Sequence, residues 1–184
     1  MILIRHGQTI FNVLFSVTRI DPGVPDPILT ARGRGQARRV ATALAGEGVE
    51  RIVASPYRRA IQTADAVARA LVVPVVIDPD VRERFSFSCD HGTRRSELAR
   101  AWPEYDFAHL AERWWPISEE GEPAFAARCA RFAERMAEDP GWSRTAVVTH
   151  WGVIRALTGE RVTNGRLVRL APPGAELVPP GLPC

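Results

Sequence analysis

The chain has 184 residues, 46% of them hydrophobic, a formal charge of +3, and 24 basic residues that are all arginine. That is enough for one domain with a substantial core, and the charge is too mild to imply a nucleic-acid partner. The longest apolar stretch, Ala70 to Ile77, is too short to span a bilayer, and three scattered cysteines (Cys89, Cys129, Cys184) fit no zinc or disulfide framework.

The first apolar run, Met1-Ile2-Leu3-Ile4, ends abruptly in Arg5-His6-Gly7 and predicts a buried strand over 1–5. A polar loop is expected from there through Pro22, Pro25 and Pro27. Thr30 is a candidate N-cap for a helix whose core stripe is Ala37, Val40, Ala41 and Leu44, ended by Gly46 or Gly48. Arg32, Arg34, Arg38 and Arg39 then fall on its solvated face. A strand over Arg51–Ala54 runs into Ser55-Pro56, which reads as an N-cap followed by proline at the first helical position. That helix buries Ala60, Ala64, Val67, Ala68 and Leu71. Val75–Ile77 is a third short strand.

Residues 78–123 are irregular, with helical pieces expected around Arg95–Ala101 and Glu104–Arg113. Trp114-Trp115 is expected to pack on the core or line a substrate rim, and His91 and His109 to lie on the surface. Phe125, Cys129, Phe132 and Met136 mark another amphipathic helix. A strand over Ala146–Thr149 ends in His150-Trp151-Gly152, followed by a helix at about 152–158 and a last strand over Leu167–Leu170. The proline-rich stretch 172–184 reads as an extended or disordered tail beyond a single domain of residues 1–171. Strands alternating with helices imply an α/β fold, a three-layer α/β/α sandwich with a mainly parallel sheet.

In such sheets ligands bind beyond the carboxyl ends of the strands. Two strands here end in histidine, which predicts two imidazoles facing one pocket. A neutral imidazole is a competent nucleophile toward phosphorus, and arginine suits the surrounding charge because its planar fork matches phosphate oxygens. Arg5 sits beside His6, and Asn12 follows in the loop leaving that strand. Arg59 lies in the first turn of the second helix, where free N–H groups already favour an anion. Glu83 follows the third strand as a candidate acid. The Trp151–Gly152 backbone opens the helix behind His150.

The block Leu3-Ile4-Arg5-His6-Gly7-Gln8-Thr9 with Asn12 resembles the histidine phosphatase superfamily, also called phosphoglycerate mutase-like. So do Leu29-Thr30-x-x-Gly33-x-x-Gln36-Ala37, Ser55-Pro56-Tyr57-Arg58-Arg59-Ala60-Ile61-Gln62-Thr63-Ala64, and Val148-Thr149-His150-Trp151-Gly152-Val153-Ile154-Arg155. The resemblance spans residues 1 to about 170, in the family's order. It implies that His6 is the phosphorylated histidine, that Arg5, Arg59 and His150 complete the phosphate pocket, that Asn12 is an auxiliary phosphate ligand, and that Glu83 is the proton donor. Trp151 stands where glycine or alanine is common. Val81 replaces a usual leucine. Residues Phe85 to Gly92 replace the family's Phe-Gly-x-Trp-Glu-Gly, longer and without the tryptophan.

The implied activity is a metal-independent phosphomonoester hydrolase with no cofactor, acting on a small-molecule phosphate ester in the cytoplasm, with no nucleic-acid or membrane partner. Two alternatives stand beside it. One is a phosphoglycerate mutase-type phosphotransferase, for which Glu83-Arg84 and Arg113 are the relevant residues. The other is a non-catalytic phospho-ligand or protein-binding module on the same fold.

Overall fold

Alternation along the strands decides the layering. In β1 (Ile2–Arg5), Ile2 and Ile4 join one buried cluster and Leu3 another. In β4 (Thr145–Thr149), Ala146 and Val148 join the first and Val147 the second. Both faces of these strands are apolar, so both must be covered. Helices α2 (Ala31–Leu44) and α3 (Arg58–Leu71) cover one face through Val40, Leu44, Ile61 and Val67, and α4 (Arg95–Ala101) adds Leu98. Helices α5 (Glu122–Ala137) and α6 (Trp151–Thr158) cover the other through Phe132, Met136 and Ile154. The result, seen in a computed structural model that describes residues 1–172, is the expected three-layer α/β/α sandwich. The tail expected over 172–184 lies, from residue 173, outside the described residues.

The sheet has five strands in the order β3-β2-β4-β1-β5, with β2 at Arg51–Ala54, β3 at Val75–Ile77 and β5 at Leu167–Arg169. All neighbours pair in parallel except β5, which runs antiparallel on the β1 edge. Register sets up the site. Arg5 pairs with Thr149, and Ala54 pairs with Val148. The carboxyl ends of β1, β4 and β2 are therefore level. The ladder runs one step further, with the His6 N–H donating to the Thr149 carbonyl (3.0 Å) and the Ser55 N–H to the Val148 carbonyl (3.1 Å).

The structure corrects three expectations. The segment after β1 is not all loop, because α1 occupies Ile10–Thr18. Of its residues only Phe11 is buried, while Ile10, Leu14 and Val17 are exposed, so no buried stripe announces it. Its start is fixed by a capping box between Thr9 and Asn12. Ser55 is not the N-cap of α3. The helix begins at Arg58 after Tyr57, and the Ser55 hydroxyl is instead 2.8 Å from the His150 ring. Glu104–Arg113 forms turns rather than a helix. The Asp106 carboxylate takes the Ala108 N–H, and the Leu110 N–H closes onto the Phe107 carbonyl, so Phe107, Leu110 and Trp114 reach the core from irregular backbone.

Candidate active site

His6 and His150, each one residue past a paired strand end, bring their ring centroids within 5.1 Å. Both are buried. The His6 Nδ1 lies 2.7 Å from the Gly7 carbonyl, an atom that can only accept. Nδ1 therefore carries the proton, and in the neutral ring Nε2 keeps its lone pair. Burial, then the Arg59 and Arg5 guanidiniums, hold His6 well below its ordinary imidazole value, with the Gly7 contact pulling the other way. His150 is held well below its ordinary value by burial first, then by Arg59, His6 and Arg5. Its Nε2 faces the Ser55 hydroxyl, and its Nδ1 has no hydrogen-bond partner among the described residues.

The two arginines are fixed differently. Arg5, the last residue of β1, donates through Nη1 to the Val162 carbonyl at 2.5 Å. Arg59, in the first turn of α3, is buried over the Tyr57 ring (4.2 Å) and donates to the Cys89 carbonyl (2.6 Å) and the Asp90 carboxylate (3.1 Å). A second buried acid, Asp26, lies 3.9 Å from Arg59. It also accepts the Arg58 N–H and both the N–H and hydroxyl of Thr93.

Glu83 follows the single turn Pro79–Val81 that leaves β3. Its carboxylate accepts the Gly152 N–H (3.0 Å) and the Arg84 N–H (2.9 Å). Glycine is required at 152 by this approach: a Cβ there would sit 2.3 Å from the Glu83 Oε1. Desolvation, then the nearby Asp90 carboxylate, raise Glu83 above its ordinary value against the pull of the two N–H donors and Arg59. Arg128 of α5 braces the backbone carrying it, donating to the Asp80 (2.8 Å) and Arg82 (2.9 Å) carbonyls while paired with Glu120.

Asn12 has two roles in view. Its Oδ1 accepts the Thr9 N–H (3.0 Å) and an Asn164 amide proton (3.2 Å), which fixes the amide orientation and leaves Nδ2 as the donor. Arg5, His6, Asn12, Arg59, Glu83, Trp151 and Gly152 all line one cavity of about 760 Å³. His150 lies behind it, against His6. The expectation of two imidazoles facing one pocket therefore holds for His6 alone, while the other expected residues do line it. Arg113 is not: it stacks 5.5 Å over Trp115 and is absent from the cavity wall. Trp114-Trp115 serves the core, with Trp114 edge-on to Tyr57 at 4.7 Å. His91 and His109 are exposed, as expected.

Four residues take roles at the site that the sequence did not assign to them. Asp90 orients Arg59, Ser55 meets His150, Asn164 donates to the His6 carbonyl (3.1 Å), and Thr63 accepts the Gly7 N–H (3.1 Å).

The family model of the histidine phosphatase superfamily (branch 1) matches residues 1–167. The chain belongs to this superfamily. Among curated proteins, an adenosylcobalamin/alpha-ribazole phosphatase of Escherichia coli is 34% identical over 163 residues, covering 84% of this chain and 75% of that one. A phosphoglycerate mutase-like protein of Arabidopsis thaliana is 32% identical over 162 residues, covering 85% and 68%. Among solved structures, a mycobacterial glucosyl-3-phosphoglycerate phosphatase complexed with VO3 superposes with a TM-score of 0.62 at 26% identity, covering 91% of this chain and 88% of that one.

Within the superfamily pattern, the atypical segment Phe85 to Gly92 acquires a physical reading. Its Asp90 carboxylate accepts the Ser86 and Phe87 N–H groups (3.1 Å each) with one oxygen and Arg59 with the other. The loop is wound around the acid that steadies the arginine. No helix among the described residues is long and apolar enough to cross a membrane. Cys89 and Cys129 are buried free thiols.

Proposed function

We propose that this protein is a phosphomonoester hydrolase that works through a phosphohistidine on His6, without a metal ion. One observation carries the reading. His6 is buried in a cationic setting that keeps it neutral, with Nδ1 tied to a carbonyl and Nε2 left as a nucleophile.

In the first step His6 Nε2 attacks phosphorus in line. The P–N bond forms as the bond to the leaving oxygen breaks, and Glu83 gives its proton to that oxygen. In the second step the Glu83 carboxylate takes a proton from water, which attacks phosphorus and breaks the P–N bond. Phosphate leaves, His6 is again neutral and Glu83 again protonated. Arg5, Arg59, Asn12 and the Trp151 backbone bind the transferring oxygens, with His150 packed against His6 behind them, the electrostatic work on which phosphoryl transfer depends. The raised Glu83 suits an acid that must hold its proton before giving it up. The substrate is a small-molecule phosphate ester, and the expected compartment is the cytoplasm.

A mutase acting on a sugar acid needs cations free to hold a carboxylate. Of the two arginines on which the mutase alternative rests, Arg84 is engaged by Glu119 and Glu122 and Arg113 is outside the cavity, so hydrolysis is the reading adopted.

The test is hydrolysis of p-nitrophenyl phosphate and a panel of metabolite phosphates, with and without a chelator. Turnover should survive chelation and vanish in His6→Ala. Undiminished activity in His6→Ala would refute the assignment.

A further inference from the structure

Arg5 and Arg59 stand on the cavity wall with His6, and three phenylalanine rings cluster on the same wall. Phe11 and Phe15, one turn apart on α1, stack with centroids 5.4 Å apart. Phe87 closes against both, at 5.9 and 5.2 Å. All three rings line the cavity, yet Phe87 remains 41% exposed. Three contiguous rings on one cavity wall form the kind of apolar patch that marks a contact surface.

The wall is also held still. The Ser88 N–H donates to the Asp21 carboxylate (2.7 Å), with the Ser88 hydroxyl on the same group, which ties the Phe87 loop to the chain leaving α1. On the other side of the ring, the Phe87 N–H is fixed by Asp90. Such a preformed surface loses little freedom when a ligand covers it. Trp151 lines the same cavity beneath the Arg155 guanidinium, 5.2 Å above its ring. The rim arginine Arg84 is neutralised by its glutamates, and Arg19 lies exposed at the edge.

Resting on the phosphatase reading, we propose that the outer cavity is a leaving-group subsite for a planar aromatic ring, and that the substrates are phosphate monoesters whose alcohol carries such a ring. A volume of about 760 Å³ accommodates a bicyclic group together with the phosphoryl centre. The ring meets Phe15 and Phe87 equally in the ground and transition states, so its contribution is expected in KM more than in kcat.

Three primary-alcohol monoesters with leaving groups of similar basicity separate ring recognition from intrinsic reactivity: 2-naphthylmethyl phosphate, benzyl phosphate and glycerol 3-phosphate. For the wild-type chain, kcat/KM is expected to rise from glycerol to benzyl to naphthylmethyl. The last should exceed the first by about tenfold or more, within the range apolar pocket contacts give. Phe87→Ala and Phe15→Ala should each lower the naphthylmethyl-to-glycerol ratio by about fivefold, as loss of an aromatic pair does. A ratio near one in the wild type, or one unmoved by both variants, overturns the aromatic subsite while leaving the hydrolase standing. No hydrolysis of any of the three above a His6→Ala blank overturns the phosphatase reading itself.

Discussion

His6 and Glu83 are pushed in opposite directions by what surrounds them. Burial and two guanidiniums lower the imidazole, so it is neutral once pH exceeds that depressed value. Desolvation and Asp90 raise the carboxyl, so it keeps its proton above the usual carboxylate range. Hydrolysis should therefore rise with pH through the depressed His6 value and fall as pH climbs through the raised Glu83 value. Glu83→Gln is expected to lower kcat on alkyl phosphates by about 10²- to 10⁴-fold and to abolish the descending limb of the pH–rate profile. A limb that persists in the variant would belong to another group. Arg5, His6, Arg59 and His150 were legible in the sequence because each closes a strand or opens a helix within a block that resembles the superfamily's, and Glu83 because the same resemblance marks the segment after the third strand. The parts played by Asp90, Ser55 and Asn164 were not. Each acts on a residue distant in the chain, Asn164 reaching back 158 positions to His6, and no periodicity records such a meeting.

At the scale of elements, the core stripes of α2 and α5 were legible because burial imposes their period. Helix α1 was not, since only Phe11 is buried and the remaining apolar residues face the cavity or solvent. The supposed helix at 104–113 failed for the opposite reason: its apolar spacing is genuine, but successive turns satisfy it. The clearest case of one element serving another is α5 and the Glu83 segment. Arg128 is buried, and its guanidinium meets Glu120 and the Asp80, Arg82 and Glu83 carbonyls, so truncation leaves three acceptors unmet and Glu120 paired with Arg82 alone. Arg128→Ala should destabilise the fold by about 3 kcal/mol in denaturant unfolding. It should also lower kcat, because the backbone that aims Glu83 is loosened. A loss well under 1 kcal/mol would mean that the brace is not structural.

For the whole molecule, level strand ends do most of the work. Parallel pairing in register brings residues 6, 55 and 150 to one edge of the sheet, and the first turn of α3 adds Arg59. The turn after β3 supplies Glu83. A fold assembled from distant segments thus brings to one cavity groups with no proximity in sequence. The proposed reaction requires a covalent bond between phosphorus and His6. That bond is tested by acid-free quenching within milliseconds of mixing the chain with a ³²P-labelled substrate, followed by mapping of the label. Base-stable, acid-labile phosphate is expected on His6, released to water within seconds and missing from His6→Ala. Turnover with no label on His6 at any time, or label on another residue, would contradict the account.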